Sequence, residues 1–341
     1  MNEIKYLVRK NILSLTPYSS ARDEFSGNDA VFLDANENPY GSLNRYPDPL
    51  QRSLKKEISM LKGVAAENIF LGNGSDEAID ILFRVFCVPG KDQALTFSPG
   101  YGMYGACASV NDVELITVPL NEDFDIPGGF DFEASGNVSL KMIIICTPNN
   151  PTGNTLSEGR IISIIEKFRG IVIVDEAYID FSGRQSFLSL LSRYPNLVVL
   201  QTFSRAWGLA AARVGMAFAG KEIIDLMNKI KHPYNISTVN QQAALNALMD
   251  KERAQNIISE LTARREEMAS KLAGIRCVRK VFPSEANFIL VEVTDADSVY
   301  KILAAQKIIV RNRNSAVRNC LRITVGTPEE NERVIEALRK I

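Results

Sequence analysis

The chain has 341 residues, a formal net charge of −1, and 46% hydrophobic against 23% charged residues. That balance excludes a general attraction to nucleic acid or to an anionic membrane, so any phosphate site must be local. No apolar run approaches the roughly 18 residues of a membrane-spanning helix. A lone histidine, His232, excludes a His-rich metal centre and leaves Ser-His-Asp or Cys-His catalysis a single candidate base.

In chain order, the opening MNEIKYLVRKNIL lacks the unbroken apolar core of a signal peptide. Residues 1–29 read as an irregular N-terminal arm. From 30 to 235 short β-branched runs alternate with helical patterns. The runs are Gln93–Phe97, Leu115–Val118, Met142–Cys146, Ile171–Val174, Leu197–Thr202 and Val214–Ala219. Each is apolar on both faces, as buried and mostly parallel strands are. Asp76–Phe86, Glu158–Lys167 and Phe187–Ser192 read as helices between them, so this stretch reads as a large α/β domain. His232, just before a proline in KIKHPYNIS, reads as a loop residue.

From Gln241 the period changes, and residues 236–341 read as a smaller α+β domain. A helical stretch carrying Ile257, Ile258, Leu261 and Leu272 leads into a strand at Asn287–Val293. A helix near Ala296–Gln306 and strands at Ile308–Arg311 and Leu321–Val325 follow. Thr327-Pro328-Glu329-Glu330 announces the last helix with an N-cap, a first-position proline and a capping-box glutamate. Cys87, Cys107, Cys146, Cys277 and Cys320 are scattered and odd in number, which fits reduced, buried thiols in a cytoplasmic protein.

Four loops fall near strand ends or helix starts, where open α/β sheets bind ligands. Leu71-Gly72-Asn73-Gly74-Ser75-Asp76-Glu77 offers backbone N–H groups to an anion, although simple N-capping by Ser75 or Asp76 explains it equally well. Thr147-Pro148-Asn149-Asn150-Pro151-Thr152-Gly153 is either a rigid turn or a site. In Ile171-Val172-Ile173-Val174-Asp175-Glu176-Ala177-Tyr178 a carboxylate ends an apolar strand and a phenol follows. Such a carboxylate needs a cation or a strong donor, unless it merely caps the next segment. Finally, QTFSRAWGLAAARVG places Thr202, Ser204 and Arg213 together, two hydroxyls and a guanidinium suited to a phosphate dianion.

The order and spacing of these loops resemble the fold-type-I aminotransferases that use pyridoxal 5′-phosphate, and among them the histidinol-phosphate aminotransferase group. The resemblance runs along nearly the whole chain. It includes LTPYSSAR, DANENPYG, RYPD, GNGSDEAID, SPGYGMY, TPNNPTG, VDEAYIDF, KHPYNIS, ANFILVEV and CLRITVGTPEEN. It implies a large domain with a mostly parallel seven-stranded sheet between helices, a smaller C-terminal α+β domain, and a homodimer. By resemblance Asp175 would pair with the pyridinium nitrogen, Asn150 and Tyr178 would bond the ring hydroxyl oxygen, and Tyr101 would stack on the ring. Backbone at Ser75 and Asp76, with Thr202, Ser204 and Arg213, would hold the phosphate, and Tyr46 would reach it from the second subunit. Arg322 would bind the carboxylate of glutamate or 2-oxoglutarate and the phosphate of histidinol phosphate, helped by Arg311 and Tyr18. Asn36 and Glu37 would face the imidazole.

One position departs from the pattern. Where the family carries a lysine that links covalently to the cofactor and moves its proton, this chain has Arg205, with Ser204 before it and Gly208 after it in register. A guanidinium stays protonated at neutral pH and forms no stable imine, so it is neither nucleophile nor base. Lys221, Lys229 and Lys231 read as solvated residues rather than substitutes. Three readings follow: an impaired aminotransferase for histidinol phosphate, an aromatic or broad-specificity aminotransferase or threonine-phosphate decarboxylase relative, and a non-catalytic holder of pyridoxal phosphate or phosphorylated amines.

Overall fold

Alternation of side chains along the central strands determines the architecture. Val172 and Val174 enter one apolar layer while Ile171 and Ile173 enter the other, and both layers are buried. A strand covered on both faces needs apolar residues throughout, which is why these runs lack the polar alternation of a half-exposed sheet. The computed structural model describes residues 4–18, 31–130 and 138–341.

The large sheet comprises β1 (Ile69–Asn73), β2 (Gln93–Ser98), β3 (Glu114–Pro119), β4 (Leu140–Cys146), β5 (Ile171–Asp175), β6 (Leu197–Thr202) and β7 (Val214–Ala219). They lie in the order β1-β7-β6-β5-β4-β2-β3. Pairs from β3 to β6 are parallel, and β7 runs antiparallel to both β6 and β1. The chain turns back on its strand order between β2 and β4, where doubly wound sheets open a ligand crevice beyond their carboxyl ends.

The helices are α1 (Lys10–Ser14), α2 (Arg52–Lys62), α3 (Ser75–Phe86), α4 (Met103–Val110), α5 (Glu158–Lys167), α6 (Lys221–Ile230), α7 (Thr238–Met249) and α8 (Lys251–Ala273), followed by α9 (Ala296–Ala305) and α10 (Pro328–Arg339). One face of the large sheet is covered by α3, α4 and α6, together with Ile4, Val8 and Ile12 of the N-terminal segment. The opposite face is covered by α2, α5 and α7. The smaller sheet, in the order β10 (Arg311–Asn312), β11 (Cys320–Thr324), β9 (Phe288–Val293), β8 (Val278–Val281), is antiparallel. Its core is closed by α8, α9 and α10.

The expected strands of the large sheet lie where the sequence predicts, within one or two residues. The seventh strand is β1, whose outer half runs into Gly-Asn-Gly and so reads as a turn. Phe187–Leu190 is a single 3₁₀ turn capped by Ser186 rather than a longer helix. Residues 308–310 pair with no strand, because Ile308 N bonds Leu303 O as the chain leaves α9 and Lys307 turns at φ +60. The expected division at 235/236 falls just before α7, whose Ala244 and Leu248 join the core of the large sheet. The last helix has both halves of its capping box, Thr327 accepting from Glu330 N and Glu330 from Thr327 N. All five cysteines are buried thiols, His232 is an exposed loop residue, and among the described residues no helix is long and apolar enough to cross a membrane.

Candidate active site

A pocket opens at the carboxyl ends of β4, β5 and β6, against the first turn of α3. One end is a cup of donors. Gly74 turns at φ +76 into α3, and a Cβ there would lie 2.4 Å from Arg213 Nη2. A Cβ on Gly215 would lie 2.1 Å from Ser75 N, so only glycines let β7 and the helix start approach this closely. Arg213, itself at φ 51, donates to Ser204 Oγ at 3.4 Å and to Ala210 O at 3.3 Å, and its other nitrogen meets Asp76 Oδ2 at 3.4 Å. Thr202 Oγ1 accepts from Ser204 N at 3.1 Å. The guanidinium contacts sit at the long end of hydrogen bonding and leave capacity for a better acceptor. Helix start, two hydroxyls and a guanidinium fit a phosphate dianion.

The floor is Asp175, the last residue of β5, buried beside its strand neighbour Cys146. Tyr104 OH donates to Oδ2 at 2.7 Å and Ala177 N to Oδ1 at 3.1 Å. Burial pushes this carboxyl up to about 6, while those two donors pull it down. A protonated ring nitrogen is the kind of partner that keeps such a group ionised. Alternation sends the next residue, Glu176, away from the pocket to Ser186, Gln201 and the Phe187 amide.

Tyr101 stands over the pocket, edge-on to Tyr104 with ring centroids 5.5 Å apart, and donates to Asp76 Oδ1 at 3.2 Å. Opposite, Asn150 Nδ2 donates to Tyr178 OH at 3.2 Å, and burial pushes the Tyr178 phenol up. Arg322, on β11, donates to Asn150 Oδ1 and so joins the small sheet to the pocket wall.

Arg205 follows β6 in a turn fixed by buried Ala206 and by Trp207, which packs edge-on against Phe203. Its guanidinium lies 5.7 Å from the centre of the Tyr178 ring. Burial is the largest single influence and lowers its pKa, but Tyr178, Tyr101 and Asp175 together outweigh it and the net shift is upward, so it stays a cation.

Ten expected residues therefore line one pocket: Ser75, Asp76, Tyr101, Asn150, Asp175, Tyr178, Thr202, Ser204, Arg205 and Arg213. Arg322 touches its wall, and Arg311 is the register partner of Arg322 across β10 and β11. Tyr18 and Asn36 are exposed outside the pocket. Glu37 instead bonds Arg45 and the Tyr46 amide. Tyr46 is half-exposed and stacks on Tyr234, with centroids 4.4 Å apart. Tyr104 and Cys146 were not singled out by sequence reasoning. Tyr104 has a usable signal, since it lies one helical turn after Tyr101. Among the lysines, Lys221 pairs with Asp225 and Lys229 bonds Leu13 O. Lys231 is a correction: it is buried, and its amine donates to the carbonyls of Pro49, His232 and Pro233. None of the three lines the pocket.

A family model described as aminotransferase class I and II matches residues 25–338. A histidinol-phosphate aminotransferase of Parabacteroides distasonis is 50% identical over 344 residues, covering 100% of this chain and 99% of that protein. The crystal structure of the histidinol-phosphate aminotransferase from Clostridium acetobutylicum aligns with a TM-score of 0.78 at 24% identity, over 87% of this chain and 90% of that one. The Sinorhizobium meliloti histidinol-phosphate aminotransferase, solved in complex with pyridoxal 5′-phosphate, aligns with a TM-score of 0.77 at 23% identity, over 87% and 82%.

Proposed function

The chain belongs to the aminotransferase class I and II family, and we propose that it holds pyridoxal 5′-phosphate in a site built for amino transfer between L-histidinol phosphate and 2-oxoglutarate, with turnover impaired by Arg205. The reaction would yield 3-(imidazol-4-yl)-2-oxopropyl phosphate and L-glutamate, a step of histidine biosynthesis. The observation that carries this reading is the convergence of ten expected residues on one pocket.

Pyridoxal phosphate supplies, when bound, an electron sink for breaking a bond at the amine-bearing carbon. This chain's residues would do the rest. Ser75, Asp76, Thr202, Ser204 and Arg213 hold the phosphate, and Tyr46 of a second copy adds to them in a homodimer. Asp175, kept ionised by Tyr104 and the Ala177 amide, keeps a proton on the ring nitrogen. Asn150 and Tyr178 would hydrogen-bond the ring, and Tyr101 would pack against it. Arg322 takes the substrate anion, with Arg311, Tyr18 and Asn36 at the mouth. The lysine's proton-carrying role has no holder, because Arg205 remains protonated.

The test compares the chain with Arg205→Lys. With added pyridoxal phosphate, only the lysine form should show a visible absorbance band that borohydride reduces, and only it should form glutamate's partner product at a substantial rate. A parent chain with full turnover would refute the role given to Arg205. A lysine variant that binds the cofactor but rejects histidinol phosphate, while accepting phenylalanine or decarboxylating threonine phosphate, would move the chain to a different substrate. Arg205 also favours a second reading, a non-catalytic holder of the cofactor or of phosphorylated amines.

A further inference from the structure

Arg205 and Arg322 approach the pocket from the large and the small sheet, on two rings that touch edge to face. The Arg205 guanidinium lies 5.7 Å from the Tyr178 ring centre, and that of Arg322 lies 5.2 Å from Phe288. The two rings are 5.1 Å apart at 87°. Polar links run parallel to part of this stack: Asn150 donates to Tyr178 OH, and Arg322 donates to Asn150. Two cations are thus held across a shared wall.

Neither cation is neutralised. Among the described residues no carboxylate pairs with Arg205 or Arg322. The Nε atoms of both are buried and have no acceptor, and so is that of Arg313 on the chain leaving β10. Burial pushes Arg322 down, and both Arg205 and Arg311 add repulsion. Arg313 is likewise pushed down by burial, then by Arg322 and Arg311. Asp175 faces Arg205, but its oxygens already accept from Tyr104 and Ala177. Buried guanidinium N–H groups without acceptors are strongly unfavourable unless a ligand completes them. Carboxylates and phosphates present planar oxygen pairs that match a guanidinium fork.

We propose that Arg205 and Arg322 form a two-guanidinium seat for one oxyanion, so that Arg205 is a ligand-binding residue in its own right. The ligand is a carboxylate or a phosphate monoester held in front of the Tyr178–Phe288 wall. This rests on the preceding reading that pyridoxal phosphate fills the Ser75–Arg213 cup.

The test saturates the full chain with pyridoxal phosphate, so that the cup is filled, and then titrates it by calorimetry. One arm uses 2-oxoglutarate and the other histidinol phosphate. Arg205→Met and Arg322→Met should each weaken binding at least tenfold, and the double variant should bind little worse than either. Arg205→Lys, titrated without pyridoxal phosphate so that its amine is free, should retain most of the affinity for 2-oxoglutarate. An effect confined to one arm assigns the seat to that anion. Melting curves separate this from misfolding: Arg205→Met should melt in one cooperative transition without ligand, as the parent does, and should lose the anion-induced rise. The seat is overturned if Arg205→Met and Arg205→Gln bind both anions within twofold of the parent. Failure of pyridoxal phosphate to bind would sink the preceding reading instead, and the 2-oxoglutarate titration on the bare chain would still decide the seat.

Discussion

The two ends of the pocket both present arginine, in opposite states. At the cup, Arg213 is surrounded by acceptors from Ser204, Ala210 and Asp76. At the other end Arg205 and Arg322 each keep a buried N–H without one. Arg213 has its counter-charge built in by Asp76, and a bound phosphate would compete for it. Arg205 and Arg322 have no such internal partner and depend on an incoming anion. The cup is therefore a site that the fold completes by itself, while the guanidinium end is complete only with ligand. The same side chain gives stability in one place and unmet demand in the other, and what differs is the company it keeps.

Disturbing the cup alone is the strongest way to break that contrast. Gly74→Ala places a methyl within 2.4 Å of Arg213 Nη2 at a backbone angle of φ +76. Losing charge-assisted contacts to phosphate should cost about 3 kcal/mol, or roughly a hundredfold in cofactor affinity. Affinity of the bare chain for 2-oxoglutarate at the other end should stay unchanged. Fluorescence titration with pyridoxal phosphate and calorimetry with the oxo acid measure the two separately. Equal losses at both ends would mean that they are not independent.

How much of this contrast is legible in the sequence depends on whether the participants are neighbours along the chain. Thr202, Ser204 and Arg213 can be read together because one loop carries all three, and Asp175 stands out as a charge ending the apolar run Ile171–Val174. Tyr104 offers only its one-turn spacing from Tyr101, and its tie to Asp175 depends on where α4 packs on the sheet. Arg313 is invisible because its importance comes from Arg322 and Arg311, brought together by the β10–β11 pairing and the turn after it. Lys231 misleads for the opposite reason: carbonyls of Pro49 and Pro233 create a buried seat for a residue type that is usually solvated.

A second effect, nearly as large, sharpens the floor between the two ends. The Asp175 carboxyl rises from an ordinary 3.8 to about 6 on folding, chiefly through burial. The folded state thus binds a proton more readily than the unfolded state between those values, so stability of the cofactor-free chain falls as pH rises from about 4 to about 6. A shift of this size corresponds to about 3 kcal/mol. Cofactor affinity should move the other way, weakening as pH drops through about 6 and the carboxylate is lost. Chemical denaturation of the chain against Asp175→Asn over this range isolates the term. Parallel pH profiles in the two proteins would remove Asp175 from the account.

The smallest change concerns what keeps that carboxylate charged. Tyr104 OH donates to it at 2.7 Å from a fully buried position, and its removal in Tyr104→Phe leaves the ring, and so the packing, in place. A hydrogen bond to a charged group contributes about 2 kcal/mol. Its loss should move the pH at which cofactor affinity falls upward by about one and a half units, while affinity well above that pH changes only a few-fold. A merely structural tyrosine would lower affinity equally at every pH, so the shape of the profile separates the two roles. Because Tyr104 lies beneath the pocket and touches neither Arg213 nor Arg322, the variant should leave oxyanion binding at the guanidinium end intact. A matching loss there would mean that the floor, and not the pair of cations, organises that end of the pocket.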